Sequence, residues 1–242
     1  MTTLRTTRSH AGFRLPDPPP REPDEMTSYE HLHAPGSTHH LIRHFGNSDT
    51  TLVTAERYIS MEPRSGRSRR RRPDLLIAFD VDPAAYIESN GYIISEQGKP
   101  PDFVLEVASE STGDEDVGEK RDDYAAFGIL EYWRFDETGE YHGDWLAGER
   151  LVDGEYQPIE IEQLSEDVLQ GYSEVLNLNI RWHAGQLEWF DPATGRHIPT
   201  FDDERARAED ERTARIVAER RADAAEARVR ELQDELRRAR DS

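Results

Sequence analysis

Between residues 51 and 137 the apolar positions fall into short runs, and four of them read as strands: "TLVTAERYI" (51–59), "DLLIAFDV" (74–81), "DFVLEVAS" (102–109) and "EYWRFDE" (131–137). Between the last two, "DEDVGEKRDDYAAFGI" (114–129) places Val117, Tyr124, Ala125 and Phe127 on a helical stripe that Gly128 would end. An earlier helix is expected over "STHHLIRHFG" (37–46), with Ser37 or Thr38 as N-cap and Gly46 closing it. The order helix, strand, strand, strand, helix, strand describes a mixed α/β core. After Gly139 the pattern changes to short alternating strands with turn signals at Asp153-Gly154 ("ERLVDGEYQPI") and Ala184-Gly185 ("LNLNIRWHAGQLEWFDPATG"), a β appendage on the same domain.

The two ends differ from this core. Residues 1–28 are rich in Pro, Arg, Asp and Thr without periodic apolar positions and are expected to be a disordered tail, leaving 29–200 as the folded domain. From 201 to 242 Gly and Pro vanish, and Ala218, Ala222, Ala225, Val229, Leu232, Leu236 and Ala239 alternate at spacings of four and three, the seam of a coiled coil. A charged helix is expected there, and with it a homodimer or higher homo-oligomer. From Asp202 onward 13 acidic and 11 basic residues nearly balance, so most of the chain's net charge of −20 belongs to the preceding residues.

That charge argues against a protein that coats nucleic acid, because such proteins match phosphates with Lys and Arg. It leaves room for an enzyme with a local basic footprint, and "RSGRSRRRR" (64–72) is the one dense basic patch; its plainer reading is a solvated hairpin loop. The absence of cysteine excludes disulfides, thiolate metal sites and cysteine nucleophiles, and fits a cytoplasmic protein. No apolar window approaches the ~18 residues of a membrane span.

"RRPDLLIAF" and "KPPDFVLEV" each place Pro-Asp before an apolar run. Asp102 and Glu106 share a strand face but stand about 13 Å apart, too far to hold one ion. Asp74 enters a separate strand that can lie about 4.8 Å from the Glu106 strand. Asp74 and Glu106, with the Val107 carbonyl, would offer the hard oxygens that Mg²⁺ or Mn²⁺ takes. Lys120, fourteen residues after Glu106 on the following helix, could orient or deprotonate water and offset charge on a phosphate. Each residue also has a plainer reading: Asp after Pro starts strands, and Lys in "GEKRDD" is an ordinary solvated helix residue. Tyr124, Tyr132, Trp133 and Phe135 read as core, and Ser109, Ser111 and Thr112 as a helix entry. His31, His33, His39, His40 and His44 lack a fixed zinc-ligand geometry.

"RRPDLLIAF", "PDFVLEVASEST", "GEKRDDYAAFGILEYWRFD" and the "FDPATG" exit together resemble the Uma-type restriction-endonuclease family of the PD-(D/E)xK nuclease superfamily, over about residues 29–200. The resemblance implies a restriction-endonuclease-like α/β fold, a mixed sheet flanked by helices with added β-hairpins and a C-terminal helix. It implies Mg²⁺- or Mn²⁺-dependent hydrolysis of nucleic-acid phosphodiesters, DNA rather than RNA. By the same resemblance the metal-binding acids are Asp74 and Glu106, and Arg69, Arg70, Arg71 and Arg72 would steer the nucleic acid. The superfamily lysine two residues after the second acid is here Ala108, and Lys120 stands in its place from the next helix. The glutamate of the superfamily's first helix is missing, with Glu56 or His39 as substitutes. Two other readings stay open: an inactive nuclease fold acting as an oligomeric interaction or regulatory module, and a metal-dependent hydrolase of small phosphoesters.

Overall fold

The computed structural model describes residues 13–19, 39–64, 66, 70–110, 113–199 and 201–240, which divide into two compact units, 1–198 and 199–242. In the first unit a six-stranded sheet runs β1 (Leu52–Thr54), β4 (Leu75–Ala78), β6 (Phe103–Val107), β7 (Glu131–Phe135), β8 (Leu146–Val152), β9 (Glu155–Pro158), joined in that order. Within this sheet only β6 and β7 are parallel neighbours; its other pairs are antiparallel. A parallel pair needs a crossover, and here α4 (Gly113–Val117) and α5 (Glu119–Phe127) supply it. A five-stranded antiparallel sheet follows, β10 (Ile161–Ser165) to β14 (Arg196–His197), and a small sheet joins β3 (Arg70–Arg71), β2 (Ile59–Ser60) and β5 (Tyr92–Ile93). The fold is mixed α/β.

The central strands are buried on both faces, which explains their unbroken apolar sequences. Strand side chains alternate, so odd and even positions enter different cores. Leu75, Ile77, Phe103, Leu105, Val107, Trp133 and Phe135 pack with Leu178, Ile180 and Trp189 of the five-stranded sheet. Leu76, Ala78, Val104 and Tyr132 pack with Tyr124 and Phe127 of α5. The Trp133 ring fits because two strands carry glycine beside it. A Cβ added at Gly148 or Gly171 would stand 2.8 or 2.7 Å from that ring.

Several expectations change. The 51–59 strand is two strands in different sheets, because Glu56 takes a left-handed φ of 59° between β1 and β2. The 114–129 helix breaks at Gly118 (φ −108°, ψ −97°) into α4 and α5. Gly128 (φ 82°) ends α5 as expected, its amide bonding to the Ala125 carbonyl while the Ile129 amide reaches Tyr124. Two helices had not been expected, α2 (Pro83–Ser89) and the one-turn α3 (Ile94–Gln97), although Asp82 caps α2 by accepting from the Ala84 and Ala85 amides, Pro83 opens it and Asn90 closes it at φ 56°. The hairpin β10/β11 (Val168–Ser173) was also not anticipated; its exposed, polar β10 gives little periodic signal. Both expected hairpin turns occur, at Asp153-Gly154 and Ala184-Gly185, with all four residues at positive φ. Residues 13–19 lie inside the expected disordered tail, yet Leu15 is buried and its amide bonds to the Ser89 carbonyl at 2.8 Å. The expected N-caps Ser37 and Thr38 of α1 (His39–Phe45) lie outside the described residues. The second unit is one helix, α6 (Phe201–Arg240).

Candidate functional site

Asp74 precedes β4, and Glu106 stands next to last in β6. The two strands pair antiparallel with Leu75 opposite Leu105, so the register one residue further on brings Asp74 level with Glu106. Both belong to the even-numbered face that α5 covers. Asp74 Oδ2 accepts a hydrogen bond from the Val107 amide at 2.6 Å, which ties the two strands together at the site. Asp102, the other Pro-Asp acid, is occupied elsewhere: it accepts from Lys99 at 2.6 Å and from the Phe79 amide at 2.8 Å, a strand-end clamp.

Lys120, in the first turn of α5, points inward. Its ammonium lies 3.1 Å from Glu106 Oε2 and 2.6 Å from Asp116 Oδ1. Tyr124, one turn further along α5, donates to Glu106 Oε1 at 2.5 Å. Asp116 also meets His142 Nε2 at 2.9 Å, and Tyr132 donates to the Asp116 carbonyl at 2.7 Å. The loop that brings His142 is held by Asp136, which accepts from the amides of Thr138, Gly139, Tyr141 and His142. Burial would raise the Asp136 carboxyl, but these amide bonds outweigh it and hold the group below the ordinary range.

Asp74, Glu106 and Asp116 are 4%, 1% and 0% exposed, and Lys120 is the ammonium among them. Burial pushes the Glu106 carboxyl well above the usual carboxylate range, Lys120 opposes this, and Asp116 and Asp74 add to it. Burial pulls Lys120 the other way, but attraction to Glu106, Asp116 and Asp74 outweighs it and keeps the amine above the ordinary lysine range. A lysine held this way keeps its proton at neutral pH. It can orient groups and offset negative charge, while the expected role as a base on water loses support.

The donor chemistry fits a divalent cation. Three buried carboxylates around one ammonium leave an excess of negative charge, and the expected donors, Asp74, Glu106 and the Val107 carbonyl, are all hard oxygens. Among the described residues no three acid, His or Cys side chains already converge as a cage, so an ion would have to compete with Lys120 for Glu106.

The other expected residues stand apart from this cluster or outside the described residues. Arg71 is paired with Asp123 and lies 3.5 Å from Glu119, both on the helix of Lys120. Arg72 reaches Glu56 at 3.5 Å and donates to the Pro19 carbonyl at 3.1 Å. Arg70 is half-buried beside them in β3, and Arg69 lies outside the described residues. Glu56 follows β1 instead of standing in it, its side chain reaching Arg72 and its amide bonding to the Pro73 carbonyl beside Asp74; the His39 side chain is not among those described. Sequence reading missed Asp116 and His142. Asp116 had a signal, four residues before Lys120 on what reads as the same helix face. His142 had none, since a loop fold brings it in.

The chain matches the Uma2 family model, described as "Putative restriction endonuclease", over residues 22–181. Among solved structures it is similar to a putative nuclease of DUF820 from Anabaena variabilis ATCC 29413, with 12% identity and a TM-score of 0.38 over 58% of this chain and 73% of that one. Among curated proteins there is no match. With a match spanning well over half its length, the chain belongs to the Uma2 family of putative restriction endonucleases.

Proposed function

We propose that the protein is an endonuclease that hydrolyses nucleic-acid phosphodiesters, in DNA rather than RNA, with Mg²⁺ or Mn²⁺ held by Asp74, Glu106 and the Val107 carbonyl. The observation that carries this reading is the buried polar cluster on the helix face of the sheet, where Glu106 sits among two further carboxylates and Lys120. Structural carboxylates are seldom left with so unfavourable a balance, whereas a site that binds a cation needs it. Family membership supports the nuclease class.

When bound, the cation supplies positive charge and Lewis acidity beside a phosphate that accumulates negative charge. The chain's own groups do the rest. Tyr124 and the Val107 amide hold the Glu106 and Asp74 carboxylates in place. Lys120, bonded to Glu106 and held by Asp116, keeps its proton and would stabilise the charge on the phosphate. Arg71 joins the approach surface, because its neighbour Glu119 is 81% exposed and a phosphate can displace it.

Supercoiled plasmid incubated with purified protein and Mg²⁺ or Mn²⁺, against EDTA and against Glu106→Gln prepared identically, tests this reading. Nicking that needs both the ion and Glu106 is expected. Equal nicking by the variant would assign the activity to a contaminant. Folded protein that neither binds the ion nor nicks would favour a nuclease fold kept for interaction alone.

A further inference from the structure

Helix α6 spans 40 residues, and every described side chain from 205 to 240 is exposed. Its first half carries its own support in i,i+4 ion pairs, Arg205–Glu209, Arg207–Glu211 and Arg215–Glu219 at 3.4–3.5 Å. Its second half carries the apolar stripe, with Val229, Leu232 and Leu236 exposed by 52%, 43% and 61%. A solvated single helix has no use for large apolar groups at a strict four-three spacing, whereas a two-stranded coil does.

We infer that residues 218–239 pair with the same segment of a second copy, as a parallel, in-register two-stranded coiled coil. The spacing sets Ala222, Val229 and Leu236 at the a positions and Ala218, Ala225, Leu232 and Ala239 at d. The flanking charges then decide the partner. At g stand Arg221, Arg228 and Glu235; at e stand Glu226, Gln233 and Arg240. In a parallel pair each g residue meets the e residue of the next heptad across the seam. Arg221 meets the partner's Glu226, Glu235 meets the partner's Arg240, and Arg228 meets the uncharged Gln233 of the partner subunit. No like charges face each other, so the helix is complementary to itself.

An antiparallel pair also brings opposite charges together, but it sets Leu236 against the partner's Ala225. The parallel arrangement instead stacks Val229, Leu232 and Leu236 each against its own copy in three successive large layers. A β-branched residue at a with leucine at d is the combination that favours two parallel strands. The alanine layers allow close approach and add little burial, so the association depends on those three positions. The inference does not rest on the chemistry at Glu106. If both hold, each particle contains two nuclease units, one for each strand of a duplex.

Sedimentation equilibrium of the full chain up to about 100 µM tests it, a range that registers even a weak pair. Twice the 27.8 kDa chain mass is expected, falling to the single-chain mass when Leu232→Glu and Leu236→Glu are combined; both side chains are exposed. The native chain has no cysteine, so Leu236→Cys should oxidise to a covalent dimer while Arg230→Cys, off the seam, should not. A single-chain mass at every concentration would overturn the inference. So would a dimer that survives the double substitution, or one that fails to cross-link through Leu236→Cys.

Discussion

Glu106 and Glu131 stand in neighbouring parallel strands and are 1% and 0% exposed, yet their surroundings differ in kind. Glu131 begins β7 on the odd-numbered face and is enclosed by donors. It accepts from Trp133 Nε1, the Ser173 hydroxyl, the amides of Glu174 and Val175, and Arg150. It therefore fastens the turn between β11 and β12 (Leu178–His183), residues 174–177, to the central sheet. Glu106 stands next to last in β6 on the opposite face, with Lys120 and Tyr124 as donors and Asp74 and Asp116 as electrostatic opponents. A buried carboxylate with all its bonds made belongs to the architecture; one left among like charges is what a cation site requires.

The largest effect that would break this contrast is at the architectural end. Glu131→Ala strands several buried donors at once and should lower unfolding free energy by about 3–5 kcal/mol in urea denaturation. A loss below about 1 kcal/mol would mean that the donors find other partners. On the same side of the sheet, Gly148→Ala drives a methyl into the Trp133 ring and should cost about 1–3 kcal/mol. Glu106→Gln should do the reverse in the metal-free protein. A carboxyl raised in the fold binds its proton more tightly there than in the unfolded chain, so wild-type stability falls as pH rises from the ordinary carboxylate range through the folded value. The variant should lack that fall, so its stability relative to wild type should improve with pH; an unchanged difference from pH 4 to 8 would contradict the assignment. Smallest of all, Arg71→Ala should change stability by less than about 1 kcal/mol, since its pairing includes an exposed glutamate. It should still reduce the salt slope of DNA binding by about one, and an unchanged slope would remove Arg71 from the interface.

How much of this is written in the chain depends on the range of the interaction. The four central strands, the Gly128 stop and both hairpin turns are local signals of alternation and turn chemistry, and the structure contains them, although the first strand is divided. The split at Glu56 and the break at Gly118 are choices of φ and ψ that neighbouring sheets and the crossover impose, and the apolar pattern runs straight through both. The pairing of Asp74 with the Glu106 strand was legible, because two apolar strands, each entered by Pro-Asp and close in the chain, can lie side by side. Asp116 was within reach of an i,i+4 rule and was overlooked. His142 and the locking of Arg71 onto the Lys120 helix depend on contacts across 26 and 52 residues, which no periodicity encodes.

The measurement that decides most is a calorimetric titration of Mn²⁺ into the metal-free protein, wild type beside Glu106→Gln, with both checked for folding by circular dichroism. The proposal predicts saturable binding at one class of site in the wild type and its loss in the variant. A folded wild type that binds no Mn²⁺, or a variant that binds it equally well, would contradict a cation site at Glu106 and leave the buried cluster without the role assigned to it.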